Sequence, residues 1–201
     1  MKKCFLAAQL ILLTYLGYSQ TVKIGTQVWM TKNLDVSAFR NGDPITHAST
    51  NEDWQDAMRN KKPAWCYYDN DPTNGEKYGK LYNWYAVNDP RGLAPEGWRV
   101  PNHLDWSKLI TFLYNTPPNF LKEKTGEAYQ RTISTGFNCS PVGTRDMLGT
   151  FQGNNGWICF WSSDGINVDR AISYHIYPPN SGLIKFDNYK FEGFSVRCLK
   201  D

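Results

Sequence analysis

Long apolar runs are nearly missing from this sequence. After Phe5 to Leu16 no stretch could cross a bilayer. An excess of one charge is missing too. The 22 Lys and Arg against 19 Asp and Glu leave a formal charge of +3, too small and too scattered to argue for nucleic acid or an acidic membrane surface. No C-x-x-C spacing occurs, which leaves zinc and thioredoxin-like readings with little support. The Gly-x-Ser-x-Gly elbow of serine hydrolases is absent. Histidine is scarce: none of His47, His103 and His175 has a Cys or acidic neighbour at ligand spacing, and His103 is expected to face solvent. There is no fixed-period repeat and no interdomain linker, so one domain is expected.

Aromatic residues are plentiful. The 8 Trp, 12 Tyr and 10 Phe make up 15% of the chain, enough large rings to build a core with few regular helices. At the N-terminus, Lys2 and Lys3, the apolar run Phe5 to Leu16 and the small residues around Gly17-Tyr18-Ser19 read as a secretory signal peptide over 1–19. Cleavage before Gln20 leaves a near-neutral, soluble domain over 20–201, secreted or held at the cell surface or in the periplasm. Cys4 precedes the apolar run, where a lipoprotein cysteine would follow it. Cys66, Cys139, Cys159 and Cys198 remain. An exported chain with an even number of cysteines can form disulfides, and four allow three connectivities. Buried free thiols are the alternative.

The clearest local signal is Gly97 to Leu109. Val100 before Pro101 is pushed toward extended geometry. Asn102 caps a helix whose first turn carries Asp105. Leu104, Trp106, Leu109, Ile110 and Leu113 then share one broad face. A second helix is expected over Asn51 to Asn60, capped by Asn51. A third, short and buried, is expected within Tyr78 to Val87. Val22 to Trp29 reads as a hairpin about Gly25-Thr26, and Ala64 to Tyr68 as an aromatic strand. The acids after it, Asp69 and Asp71, invite a calcium reading, but Gly75 comes one residue late for an EF-hand loop; a polar turn is expected. Late strands are expected at Ile133 to Cys139, Phe151 to Gln152, Trp157 to Ser163, Arg170 to Tyr177, Leu183 to Asn188 and Phe194 to Leu199. Helices early and strands late predict an α+β fold.

Five stretches together carry a family resemblance: Ile24 to Leu34, Tyr78 to Val87, Gly97 to Leu109, Phe160 to Ser163 and Gly193 to Cys198. In order, they resemble the Fibrobacter succinogenes major paralogous domain of exported bacterial proteins. That family in turn resembles the C-type-lectin-like fold, in the branch of the formylglycine-generating enzymes. The resemblance implies two or three short helices and a twisted, mainly antiparallel sheet. It also implies adjacent N- and C-terminal strands, here Val22 to Trp29 beside Phe194 to Leu199. Relatives often carry a cysteine where this chain has Ala94, so Cys198 is expected to pair with Cys66, or stay free, and Cys139 with Cys159. The enzymes of that branch use two nearby cysteines in a late strand. Cys198 stands alone there, which argues against carrying over their chemistry.

C-type-lectin-like folds place ligand loops in the late region. Trp and Tyr faces bind sugar rings, and polar side chains bind the hydroxyls. The resemblance therefore points to Trp157, Asn154, Asn155, Arg170, Tyr174 and Tyr177 as ligand-binding candidates. Trp157, beside a glycine-rich loop, is the best exposed of them, whereas Trp29, Trp84, Trp98, Trp106 and Trp161 are expected in the core. Asp164, Asp169, Asp187 and Glu192 could supply paired carboxylates for glycoside hydrolysis only if they converge. The expectation is a non-enzymatic exported binding module for an extracellular glycan or protein, with no cofactor and no metal. An enzyme of the formylglycine-generating branch, a glycan-active hydrolase, and a structural envelope protein are the alternatives.

Overall fold

The computed structural model describes residues 21–115, 132–153, 156–177 and 182–201. The expected signal peptide, residues 116–131, Asn154, Asn155 and residues 178–181 lie outside them.

The fold is α+β, with several mostly antiparallel sheets. The first hairpin forms as expected: β1 (Thr21–Ile24) and β2 (Gln27–Met30) pair about Gly25, whose φ of +59° suits the turn. Strand β3 (Thr46–His47) pairs in parallel with β4 (Ala64–Cys66), which pairs with β5 (Leu81–Tyr82). Helix α1 (Asn51–Arg59) lies between β3 and β4. Its cap is Thr50, one residue before the expected Asn51. Thr50 and Asp53 exchange side-chain and backbone hydrogen bonds as a capping box. The short α2 (Thr73–Tyr78) follows Asp71, whose carboxylate accepts from Thr73 N–H at 2.9 Å. The Tyr78–Val87 stretch divides between β5 and α3 (Trp84–Val87), so it is part strand and part helix.

The 97–109 stretch gives β6 (Trp98–Arg99) and α4 (His103–Asn115). Asn102 caps α4 reciprocally: its side-chain Oδ1 accepts from Asp105 N–H at 3.0 Å, and the Asp105 carboxylate accepts from Asn102 N–H at 2.9 Å. Arg99 holds the same carboxylate, and that ion pair keeps the Asp105 carboxyl below its usual value against the opposing effect of burial. Trp106, Leu109 and Leu113 are buried, but Leu104 is 66% exposed. The expected apolar face is therefore narrower by one residue.

The late region holds β7 (Thr144–Arg145), β8 (Phe151–Gln152), β9 (Ile158–Gly165), β10 (Arg170–Ile176), β11 (Ile184–Tyr189) and β12 (Leu199–Lys200). Residues 132–134 are helical, where a strand was expected. The strands form one sheet in the order β1-β2-β12-β6 and another in the order β11-β10-β9. Leu199 pairs with Trp29, so β2 of the first hairpin and the last described strand, β12, are neighbours. Upstream of β12, Gly193, Phe194 and Ser195 bridge to Arg145, Tyr82 and Phe160, which makes this segment the seam between the sheets.

The seam also carries a buried guanidinium. Arg197 donates to the Met30 and Phe137 carbonyls and to Asn33 Oδ1, and lies 4.7 Å from the Phe137 ring centre. Burial pulls its pKa down to about 10. Arg145 plays the same part on the other side, donating to the carbonyls of Ala48, Thr50 and Gly149. Both cations cross-link loops through backbone oxygens.

The core divides into three clusters. Trp84, Trp161, Cys159 and Cys198 sit in one. Trp29, Trp106, Phe137, Phe160, Tyr174 and Cys139 sit in a second. Trp54 and Cys66 sit in a third. Trp29, Trp84, Trp106 and Trp161 are buried as expected, and Trp98 is half-buried against the first cluster. The expected disulfides do not form: Cys66, Cys139, Cys159 and Cys198 are all buried free thiols. The reason is their partition. Cys66 and Cys198 lie in different clusters, as do Cys139 and Cys159, and each packs as a small hydrophobe. Burial pushes the Cys66 and Cys139 thiols up to about 11 and Cys198 to about 12. Among the described residues, no helix is long and apolar enough to cross a membrane.

Candidate functional site

Strand β10 positions the site because its two faces differ. Side chains alternate along a strand. Ile172, Tyr174 and Ile176 point into the cluster around Trp106, with Tyr174 stacked on Trp106 at 5.0 Å. Ser173, His175 and Tyr177 lie on the other face. Directly paired residues share a face, so Phe186, opposite Ser173, and Ile184, opposite His175, join them from β11. Cys159 joins from β9, opposite His175.

This second face carries a continuous hydrogen-bonded row. Tyr177 Oη lies 2.9 Å from His175 Nδ1. His175 Nε2 lies 2.9 Å from Ser173 Oγ. Ser173 Oγ donates to Asn188 Oδ1 at 2.6 Å, and Asn188 Nδ2 donates to Glu192 Oε2 at 2.6 Å. Ser173 and His175 are buried. Burial drops the His175 pKa to about 4, so the imidazole is neutral at physiological pH. Burial raises Glu192 above the usual carboxylate range, while Asn188 and Arg170 act the other way.

The row opens onto three aromatic rings. Trp157 meets Tyr177 at 5.6 Å and 88°, and Tyr177 meets Phe186 at 5.9 Å and 90°. The rings form the walls of a corner, not a flat platform. Trp157 is 41% exposed and Phe186 36%, in a chain whose other tryptophans are buried or half-buried. The Trp157 backbone is fixed from both sides: its carbonyl accepts from Val142 and Gly143 N–H, and its N–H donates to Gly153 O at 3.0 Å. Gly153 has φ +79°, and a Cβ there would sit 2.7 Å from the Trp157 side chain. Glycine is required for the ring to lie where it does.

The expected site residues separate. Trp157 and Tyr177 come together. Tyr174, three residues from Tyr177, falls on the opposite face and is buried in the core. Arg170 lies at the far end of β10, over Tyr189 at 4.0 Å, with Nη1 donating to Asp187 O. Asn154 and Asn155 lie outside the described residues. Phe186, His175, Ser173 and Asn188 complete the site and were not singled out as candidates in the sequence. The signal that could have found them is the alternation along 170–177, where Ser173, His175 and Tyr177 share one parity and Ile172, Tyr174 and Ile176 the other.

Three of the four acids are tied to different partners, and the fourth, Asp187, is exposed. The register of β9 against β10 shifts between Ala171 and Ser173, an irregularity that turns Asp164 out of the ladder. Asp164 accepts from Ser162 Oγ and from His103 N–H at the start of α4. His103 is therefore half-buried, not solvent-facing, and its Nδ1 meets Tyr174 Oη at 2.5 Å. Burial is the main force that pushes the Tyr174 hydroxyl up to about 12. Asp169 pairs with Lys61 at 3.5 Å, Asp187 is exposed on β11, and Glu192 ends the row. Asp69 and Asp71 shape a turn. Among the described residues no group of three or more His, Cys, Asp or Glu could hold a metal ion.

No curated protein and no solved structure matches the chain. The model of the Fibrobacter succinogenes major domain matches residues 22–200, nearly the whole described chain, and the protein belongs to that family.

Proposed function

We propose that this protein is an exported, non-catalytic binding module that holds a glycan in the Trp157–Tyr177–Phe186 corner, at the cell surface or outside the cell. One observation carries the reading: three adjoining rings, two of them substantially exposed, stand over a polar row. Such rings offer apolar faces to a sugar ring, while hydroxyls meet polar groups beside them. Rings standing at right angles suit one sugar unit or a chain end better than a flat polysaccharide surface. The adjacent terminal strands support placing the domain among C-type-lectin-like folds, and export follows from the signal-peptide reading of residues 1–19. Asp164, Asp169 and Glu192, each engaged with a different partner, favour binding over hydrolysis.

A glycan array probed with the purified chain tests this, followed by Trp157→Ala on any ligand found. The expected loss of affinity is about five- to thirtyfold, since truncating an exposed aromatic anchor costs on the order of 1–2 kcal/mol. The thermal midpoint should stay near that of the parent. An empty array, or an unchanged affinity in the variant, would overturn the reading. Mass determination of the protein recovered from the medium or envelope tests removal of residues 1–19.

A further inference from the structure

Strand β11 is an outer strand of its sheet. Strand β10 occupies one of its edges, and among the described residues no strand occupies the other. An open edge is a row of backbone donors and acceptors that can take another strand, and proteins cover such edges, shorten them or charge them. The opposite outer strand, β9, is protected: it is buried over Ile158 to Ser162 and bridged to Ser195 of the seam. Strand β11 is six residues long and exposed along nearly all of them. Arg170 donates to Asp187 O, and a carbonyl has a second lone pair to offer.

The side chains of β11 say which strand fits. Ile184, Phe186 and Asn188 share one face, and Lys185, Asp187 and Tyr189 share the other. When two copies of one strand pair antiparallel about a twofold axis normal to the sheet, like faces stay together, so every residue meets one of its own parity. Three such registers use the middle of the strand. Centred on Lys185, two lysines oppose each other. Centred on Asp187, two aspartates do. Centred on Phe186, Lys185 of each copy stands opposite Asp187 of the other, Phe186 meets Phe186, and Ile184 meets Asn188. Opposite charges directly across a ladder stabilise it and like charges destabilise it.

We propose that β11 is the surface on which two copies of this chain associate, antiparallel and centred on Phe186. Among the described residues neither Lys185 nor Asp187 makes an ion pair within the chain. The charges that deter foreign strands therefore select the strand's own copy, and in one register only. Two three-stranded sheets join into one. Phe186 is a wall of the aromatic corner, so the two corners come to adjoin across the axis on one face of the joined sheet. The association needs no ligand and does not rest on the glycan reading. One strand pairing makes a small interface, so the dimer is weak.

Sedimentation equilibrium of the purified chain, from about 1 μM to about 1 mM, tests this. A monomer–dimer equilibrium that weakens with added salt is expected. Lys185→Asp and Asp187→Lys, each alone, set like charges opposite each other at two symmetric positions and should weaken association about tenfold. The double variant Lys185→Asp/Asp187→Lys restores the pairing and should return the dimer to near the parent's affinity, a rescue that misfolding cannot imitate. Both positions are exposed, so the thermal midpoints should stay near the parent's. A chain that stays monomeric throughout overturns the proposal and leaves the edge to a strand of another protein. A dimer that the single reversals leave unchanged, or a double variant as weak as either single one, overturns it as well.

Discussion

The two faces of β10 are both buried, yet they are built on different principles. On one, Ile172, Tyr174 and Ile176 fill space against Trp106 and Phe160, and the stabilisation is the area removed from water. On the other, Ser173 and His175 are buried only because each finds a partner along the row. The difference teaches where this molecule can change. The apolar face tolerates swaps that conserve volume. The polar face tolerates little, because a single deletion strands the groups on either side. The row, not the packing, connects the interior to the exposed corner.

The largest effect should come from emptying the packed face. Trp106 touches Trp29, Phe137, Phe160 and Tyr174 through its ring. Trp106→Ala should cost about 3–5 kcal/mol, measured by urea unfolding, a large share of the roughly 5–15 kcal/mol by which an ordinary domain is stable. A cost below about 2 kcal/mol would show that the cluster can collapse into the space.

The polar face should reveal itself through pH. His175 has a folded pKa of about 4 against an ordinary 6.5. The unfolded chain binds this proton more readily, so stability falls as pH drops below 6.5 and levels off below about 4. At 1.36 kcal/mol per pH unit the full loss is about 3 kcal/mol. Glu192 works in the opposite sense. Burial raises its folded pKa, so the folded state takes up that proton first and regains part of the loss at low pH. His175→Gln should flatten the slope between pH 6.5 and 4. A parent whose unfolding free energy is constant over that range would contradict a neutral, buried imidazole.

Ser173→Ala sharpens the comparison. It removes one oxygen and leaves His175 Nε2 and the Asn188 carbonyl without the partner they share. The expected cost is about 2–3 kcal/mol, although the volume change is smaller than in any substitution on the apolar face. A cost under about 1 kcal/mol would mean that the row closes up without it.

How much of this was legible in the sequence depends on the range of the interactions. Helix α4 was legible because its signals are local: Pro101, the Asn102 cap and Asp105 lie within five residues. The first hairpin and the strands β8 to β11 were legible for the same reason, whereas Ile133 to Cys139 forms no strand and only Leu199 of Phe194 to Leu199 lies in one. The two-residue strands β3 and β6 were not, since only their distant partners make them strands. The half-burial of His103 depends on Asp164 and Tyr174, sixty or more residues away. The disulfide expectation rested on compartment, and compartment does not say into which core cluster a thiol falls. In the candidate site, Trp157 stood out by its glycine-rich surroundings. The choice of Tyr174 beside Tyr177 ignored the strand period, which puts residues three apart on opposite faces.

The smallest effect should fall on the corner alone. Gly153 has φ +79°, and a Cβ would meet Cβ, Cγ and Cδ2 of Trp157 at 2.7 Å. The left-handed backbone conformation costs an alanine about 1–2 kcal/mol, and the loop can relieve part of that by shifting. The Trp157 side chain cannot stay in place, because the atoms it would lose room for include its own Cβ. Gly153→Ala should therefore move the Trp157 ring away from Tyr177 and change its fluorescence. It should leave the pH slope set by His175 intact, because the row begins on the far side of Tyr177. Lost ligand binding with an unchanged pH profile would separate the corner from the row beneath it. If the pH profile changed together with the fluorescence, ring and row would form one unit, and the distinction between the packed face and the polar face would extend to the surface of the molecule.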